Sequence, residues 1–91
     1  MKDLKQCREQ LDIIDEKIIE LFEKRMLVIK DVALYKKQNN LPIIDEEREK
    51  VMIKNNIEKF NNAELKQYYQ TILKAYLDVS KQYQINLMKN K

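Results

Sequence analysis

The side chains of this chain that can do chemistry are mostly cationic. Of its eighteen Lys and Arg residues, only three are arginine, namely Arg8, Arg25 and Arg48. The planar guanidinium grips a carboxylate or a phosphate through two parallel hydrogen bonds, whereas a lysine ammonium acts as a point charge. Because lysine supplies the positive charge elsewhere, the three arginines are candidate sites for binding an anion. Ordinary ion pairing is the alternative at each position.

Several common chemistries are excluded by residue types that the chain lacks. It contains no His and no Gly, and its one cysteine is Cys7. The commonest general base and zinc ligand are therefore absent, a lone thiol makes no metal site, and no glycine-rich loop is available to hold a nucleotide. We expect no metal, no cofactor and no nucleophile, and we expect Cys7 to lie in the core.

Arg25 interrupts a regular apolar stripe. The spacing of the stripe alternates between three and four residues, which is typical of a long helix packed against other helices. Arg25 stands where this pattern calls for leucine, and a buried guanidinium needs an anionic partner, either an internal Asp or Glu or a bound ligand. The stripe comprises Leu4, Cys7, Leu11, Ile14, Ile18, Leu21, Arg25, Val28, Val32 and Tyr35.

Lys36 and Arg8 extend this cationic set. Lys36 follows Arg25 by three helical turns, so both side chains project to one side, with about 16 Å between their Cα atoms. One small molecule fits between the two charged groups, the Arg25 guanidinium and the Lys36 ammonium. Arg8 lies about 25 Å before Arg25 along the helix and about 100° around it, so it cannot reach the same place within one chain. In an antiparallel homodimer, the partner's Arg8 would reach it.

Further candidates lie on the later parts of the chain. Asp45, Arg48 and Glu49 share one face of a predicted second helix, although they also suit an ordinary solvated helix start. Ser80 and Gln84 interrupt an apolar row, where an unsatisfied polar group costs about 1–3 kcal/mol. The simple alternatives are a bond from Ser80 to its own helix and an inter-helix hydrogen bond from Gln84. Taken together, the candidates describe a site for a compact dianion that carries hydroxyl or ether oxygens.

The candidate residues require a long first helix. Residues 3–37 contain strong helix formers and no breaker, which predicts a helix about 50 Å long. A compact domain of this size is only about 30 Å across. The first helix therefore extends beyond its own domain, and an identical chain packed antiparallel is the simplest cover for the excess.

Two shorter helices are predicted to follow. Asp45 is a good N-cap for a second helix over about 46–58, and Asn61 with Glu64 resembles a capping box that opens a third helix. The predicted fold is all-α, with three helices in a single domain over residues 1–91. The apolar row expected on the third helix is Leu65, Tyr69, Ile72, Tyr76, Val79, Tyr83 and Leu87.

Charge and hydropathy argue against two classes of partner. The net charge is +3, with fifteen acids interspersed among the bases, so no basic stripe for nucleic acid is evident. No apolar run is long enough for a signal sequence or a membrane span. We expect a cytoplasmic protein that binds neither nucleic acid nor membrane.

Several short segments, in this order and spacing, resemble the all-helical chorismate mutases. The resemblance covers nearly the whole chain and implies an intertwined homodimer of three-helix chains with a very long first helix. Two departures are Asn40, in place of a small turn residue, and a slightly shorter loop before the third helix. The segments are Cys7-Arg8-Glu9-Gln10-Leu11, Ile14-Asp15, Leu21-Phe22-Glu23-Lys24-Arg25, Tyr35-Lys36, Leu41-Pro42-Ile43, Asp45-Glu46-Glu47-Arg48-Glu49, and Ser80 with Gln84.

The resemblance implies a reaction and a role for each candidate. The reaction is the pericyclic rearrangement of chorismate to prephenate in phenylalanine and tyrosine biosynthesis, which needs no nucleophile and no proton transfer. Lys36 and Gln84 would be the catalytic pair that donates to the breaking ether oxygen, and Glu49 would accept the ring hydroxyl. Arg25 and the partner's Arg8 would bind the carboxylates. The implied binding residues are Arg8, Arg25, Asp45, Arg48, Glu49 and Ser80.

Three other functions compete with this interpretation. A lyase of the same fold would release pyruvate from isochorismate by a related pericyclic step. A helical module that only mediates association would leave Arg25, Ser80 and Gln84 on buried rows without a purpose. A helical nucleic-acid binder would need exposed aromatic residues, but the tyrosines fall mainly at core spacing.

Overall fold

Three α-helices make up the fold. The computed structural model describes residues 3–89, which contain α1 (Leu4–Gln38), α2 (Glu46–Lys59) and α3 (Lys66–Lys89) and no strand. The predicted all-α class is confirmed. The first two helices begin and end within one residue of the predicted positions.

The long helix α1 determines the shape of the chain. Asp3 caps it through a capping box, in which the Gln6 N–H donates to the Asp3 carboxylate at 2.8 Å and the Asp3 N–H donates to the Gln6 side chain at 3.2 Å. The longest dimension of the described chain is 55 Å and its radius of gyration is 16.6 Å. A compact chain of this length has a radius of gyration of about 12 Å, so α1 does extend beyond the body of the fold.

The end of α1 is a Schellman motif. The Leu41 N–H donates to the Lys36 carbonyl at 2.8 Å, and the Asn40 N–H donates to the Lys37 carbonyl at 3.4 Å. Asn40 takes the left-handed conformation that this motif requires, with φ of 55°. Asparagine tolerates that conformation better than other residues with a side chain, so this chain turns without a glycine.

The two later helices differ in how well the sequence predicted their starts. Asp45 caps α2 as predicted, by accepting the Arg48 N–H at 3.1 Å. The predicted capping box of Asn61 and Glu64 is wrong, because the Asn62 side chain accepts the N–H groups of Glu64 at 3.0 Å and Leu65 at 3.3 Å. This side-chain turn delays the helix until Lys66.

The core is small and lies along α3, which packs against both α1 and α2. Its most buried residues are Ala33, Leu73, Ser80 and Gln84. The apolar row predicted for α3 is only partly buried in the single chain: four of its seven members are half-buried, whereas Leu65, Ile72 and Val79 are 43–48% exposed. The polar row faces inward instead because the side chains of Ser80 and Gln84 are hydrogen-bonded there.

One face of α1 remains apolar and exposed. Cys7 also lies exposed, so its predicted place in the core is wrong for the single chain. Apolar patches of this extent on a soluble domain normally mark an interface. Among the described residues, no helix is apolar enough over a sufficient length to cross a membrane. The exposed side chains on this face include Leu4, Leu11, Ile14, Ile18 and Leu21.

Truncating Leu73 should destabilise the fold more than truncating an exposed residue. Leu73 is 1% exposed, so Leu73→Ala removes buried methyl groups and leaves a cavity. We expect the free energy of unfolding in urea, followed by circular dichroism at fixed protein concentration, to fall by about 2–5 kcal/mol. Val51→Ala, at a position that is 47% exposed, is the control. Equal losses from both substitutions would contradict this description of the core.

Candidate active site

A cavity of about 430 Å³ lies where the three helices meet. Its volume falls within the range of about 300–1,000 Å³ that is usual for small-molecule sites. Seven of the eight candidate residues line it, and Arg8 does not. The polar lining is Arg25, Lys36, Asp45, Arg48, Glu49, Ser80, Lys81 and Gln84, and the apolar lining is Val28, Ile29, Val32, Ile43, Met52 and Leu77.

Arg25 extends from α1 into this cavity without a carboxylate partner. Its Nη1 donates to the Ser80 hydroxyl, and its Cζ lies 5.8 Å from the centre of the Tyr76 ring. Within residues 3–89, no Asp or Glu oxygen lies within 4.0 Å of its guanidinium. The alternative of an internal ion pair is therefore not found in this chain, and most of the N–H groups of Arg25 are available to a ligand.

Ser80 and Arg25 fix each other's position. The Ser80 hydroxyl donates to the Tyr76 carbonyl at 2.8 Å, one turn earlier on α3, and accepts from Arg25. The simple alternative considered for Ser80, a bond to its own helix, is therefore present together with the contact to Arg25. A hydroxyl engaged in both ways cannot rotate freely, so it holds the arginine fork at the wall of the cavity.

Lys36 and Gln84 meet at the other end of the cavity. The Lys36 ammonium donates to the Ile43 carbonyl at 2.8 Å and to Gln84 Oε1 at 3.2 Å. Gln84 Nε2 donates to the Ser80 carbonyl at 3.3 Å, so Gln84 bonds to its own helix as well as between helices, which the sequence interpretation did not expect. An ammonium has three N–H groups and an amide has two, so each side chain keeps one donor for a ligand.

The face of α2 carries charges of both signs. Asp45 is exposed and occupied with capping, and Arg48 is exposed at the mouth of the cavity. Glu49 is half-buried and pairs with Lys81 of α3, with 3.0 Å between Oε1 and Nζ. Arg48 therefore lies nearer to solvent than the Glu49–Lys81 pair on the same wall of the cavity.

Lys81 is a lining residue that the sequence analysis missed. It follows Ser80 directly and precedes Gln84 by three residues, so its place next to the polar row was the available signal. The hydrogen bond to Glu49 is the main cause that raises the pKa of Lys81 above its usual value, with smaller contributions from the charges of Glu49 and Asp78 and with desolvation opposing them. Lys81 is therefore a cation at neutral pH.

The formal charges of the lining favour a dianion. Arg25, Lys36, Arg48 and Lys81 oppose Asp45 and Glu49, which leaves a net charge of +2. Within residues 3–89, no group of three or more Cys, Asp or Glu side chains is arranged to hold a metal ion. The cavity therefore provides charge-assisted hydrogen bonds at one end and neutral or cationic donors at the other.

Arg8 lies on the exposed first turns of α1, outside the cavity. Arg8 and Arg25 lie on the same continuous helix, so within one chain they are about 25 Å apart along its axis, as the spacing predicts. A contribution from Arg8 to this site therefore requires a second copy of the chain.

The family and two of the three relatives that this chain matches carry chorismate mutase in their names. A match to the family described as chorismate mutase type II extends over residues 7–85, a range that contains all eight candidate residues. The T-protein of Haemophilus influenzae is 40% identical over 53 residues, which cover 58% of this chain and 14% of that protein. The bifunctional chorismate mutase/prephenate dehydratase of Buchnera aphidicola is 39% identical over 62 residues, covering 66% of this chain and 16% of that protein.

A third relative is nearer in length to this chain. The chorismate mutase of Methanocaldococcus jannaschii is 44% identical over 50 residues, which cover 55% of this chain and 50% of that protein. The chain thus matches at most half the length of these relatives, and no solved structure matches it significantly. Because the family match includes most of its sequence, from Cys7 to Ile85, the chain belongs to the chorismate mutase type II family.

Proposed function

We propose that this chain is a chorismate mutase that converts chorismate to prephenate in the cytoplasm, and that residues 1–91 act as one domain. The observation that carries the proposal is the pair of cations at opposite ends of the cavity, Arg25 and Lys36, which have no carboxylate partner among the described residues. Chorismate would supply a carboxylate to Arg25 and, at its ether oxygen, developing negative charge to Lys36. Family membership and the names of the relatives support the same reaction.

The reaction suits a site without acid or base chemistry. The ether bond between the ring and the enolpyruvyl oxygen breaks while a carbon–carbon bond forms between the side chain and the ring, so every atom of the substrate remains in the product. Catalysis then requires that the flexible dianion be held in its compact form and that negative charge on the ether oxygen be stabilised. Arg25 supplies the first function, and the free donors of Lys36 and Gln84 supply the second.

The remaining lining residues bind the substrate. Ser80 assists Arg25 at a carboxylate, while Arg48 and Glu49 lie near the ring hydroxyl, with Glu49 as its acceptor. Asp45 forms the rim of the site. Since Asp45 also caps α2, it fixes the start of the helix that carries Arg48 and Glu49.

A homodimer completes the proposed site. With Arg48 placed near the ring hydroxyl, Arg25 is the one arginine of a single cavity left for a carboxylate, whereas chorismate has two carboxylates. Antiparallel packing of α1 against its copy would cover the exposed apolar face and bring the partner's Arg8 to the cavity. The same association would therefore bury the apolar face of α1 and supply the second guanidinium.

The direct test is to incubate the purified protein with chorismate and follow its loss by ultraviolet absorbance. The mutase product is an isomer of chorismate, so chromatography separates the two compounds, and mass spectrometry then shows that the new peak has an unchanged mass. Isochorismate is tested in parallel, because the competing lyase reaction would release pyruvate. Loss of neither substrate, with a folded protein, would refute the proposed function and favour a module that only mediates association.

Removing either proposed donor to the ether oxygen should slow turnover severely. Lys36→Ala and Gln84→Ala are each expected to lower kcat by at least about 10²-fold, the usual effect of losing one oxyanion-hole donor. Lys37→Ala is the matched control, because Lys37 is the exposed neighbour on the same helix and does not line the cavity. A folded Lys36→Ala or Gln84→Ala protein with a kcat within severalfold of the parent would contradict the assignment.

The shared site makes a prediction about mixed dimers. Arg8→Ala and Arg25→Ala proteins should each be nearly inactive, because each lacks one guanidinium in both cavities. After subunit exchange, one of the two cavities in every heterodimer regains both arginines, so random mixing should restore about a quarter of the parent activity. Mass spectrometry of the intact dimers verifies the exchange. Exchange without recovered activity would show that the partner's Arg8 does not complete the site.

A further inference from the structure

The Glu49–Lys81 ion pair is better shielded than the other ion pairs on this chain. The two side chains are 21% and 31% exposed, whereas those of the Glu47–Lys50 pair are 88% and 73% exposed. The distance between charged atoms is 3.0 Å in the first pair and 3.8 Å in the second. A half-buried pair at hydrogen-bond distance is screened less by solvent and salt than an exposed one, so it can hold a side chain in place.

The same pair separates two concave surfaces. Glu49 and Lys81 line the candidate active site, and both also line an outer groove that contains Lys74 and Asp78. Asp78 lies 3.7 Å from Lys81 on the groove side, through a carboxylate that is 76% exposed. The Lys81 ammonium is therefore held in the wall between the groove and the cavity, with Glu49 on α2 as its closer partner.

We propose that Lys81 is a positioning residue for Glu49, holding this carboxylate directed at the substrate's ring hydroxyl. The inference rests on the proposed function and adds a residue that does not itself touch the reacting atoms. Only one carboxylate oxygen, Oε1, takes the Lys81 contact. The second oxygen then accepts a hydrogen bond from the hydroxyl.

The need for such a residue follows from the charge of the substrate. A carboxylate beside a bound dianion is repelled, and the repulsion is stronger in a partly buried site than in bulk water. A cation on the far side of Glu49 offsets this repulsion. The hydrogen bond to Glu49 also raises the pKa of Lys81 above its usual value, which is consistent with a close contact between the two charges.

A double-substitution cycle tests whether Lys81 acts through Glu49. The ring hydroxyl takes no part in the bonds that break and form, so its contact contributes equally to substrate and transition state and appears in KM rather than kcat. We expect Lys81→Met to raise KM about tenfold, as for the loss of a charged hydrogen bond, and Lys81→Arg to restore most of it. In a Glu49→Gln background, Lys81→Met should change KM by less than about twofold, because its partner charge is already gone.

Lys74→Met is the matched control, since Lys74 lines the outer groove on the same helix but not the cavity. Its KM should equal that of the parent. An unchanged KM in Lys81→Met would overturn the proposal, and so would an equal rise in KM in both backgrounds, which would mean that Lys81 attracts the dianion directly. Thermal unfolding of each variant verifies that KM is measured on folded protein.

A second measurement does not depend on activity. The side-chain carbon resonance of Lys81, titrated by NMR, should report a raised pKa in the parent and a value closer to that of an ordinary lysine in Glu49→Gln. An identical titration in both proteins would overturn the proposal even in an active enzyme. A raised value in a protein that leaves chorismate unchanged would refute the proposed function while showing that the ion pair holds Glu49.

Discussion

The arrangement of the site depends on one half-buried guanidinium that has no carboxylate to neutralise it. Arg25 occupies a position of α1 that the helical repeat assigns to leucine, and the chain surrounds it with a hydroxyl and an aromatic ring. Neither group cancels its charge. An unpaired cation that is partly removed from water destabilises the folded chain. A bound anion relieves this destabilisation, and the relief adds to the free energy of ligand binding.

The turn after α1 places the second cation. Lys36 is the residue whose carbonyl receives the closing hydrogen bond of the Schellman motif, and its ammonium reaches forward to the Ile43 carbonyl. The end of the helix and the position of the side chain are therefore set by the same short segment. Asn40 makes this possible without glycine, because its side chain is among the few that tolerate a positive φ.

Local signals explain which parts of this structure the sequence could predict. The bounds of α1 and α2 follow from uninterrupted helix formers and from one acidic cap, which depend on neighbouring residues alone. The eleven-residue interval between Arg25 and Lys36 is likewise a property of helix geometry. Seven of the eight candidate residues line one cavity. They were identified by helical spacing, and the same spacing places their side chains on one face of each helix.

The errors concern choices made by tertiary contacts. The sequence favoured Asn61 over Asn62 because Glu64 lies three residues after it, but the path of the loop makes Asn62 the residue that accepts the N–H groups. The two apolar rows of α3 differ little in hydropathy, but only one has polar members that find partners on α1. Lys81 was missed although it lies next to the polar row, because a lysine on a helix is usually solvated and the carboxylate that holds it comes from another helix.

The exposed face of α1 and the incomplete set of cations are two aspects of one constraint. A single chain of this length cannot cover a helix that makes the described structure 55 Å long. With Arg48 assigned to the ring hydroxyl, it also leaves only Arg25 as an arginine for the two carboxylates. In the proposed dimer, association buries the apolar face and introduces the partner's Arg8 together. Folding, assembly and substrate binding would then be linked, because a ligand that bridges two chains stabilises only the associated state. Activity should therefore disappear on dilution below the dissociation constant of the dimer, while the substrate itself should oppose that dissociation.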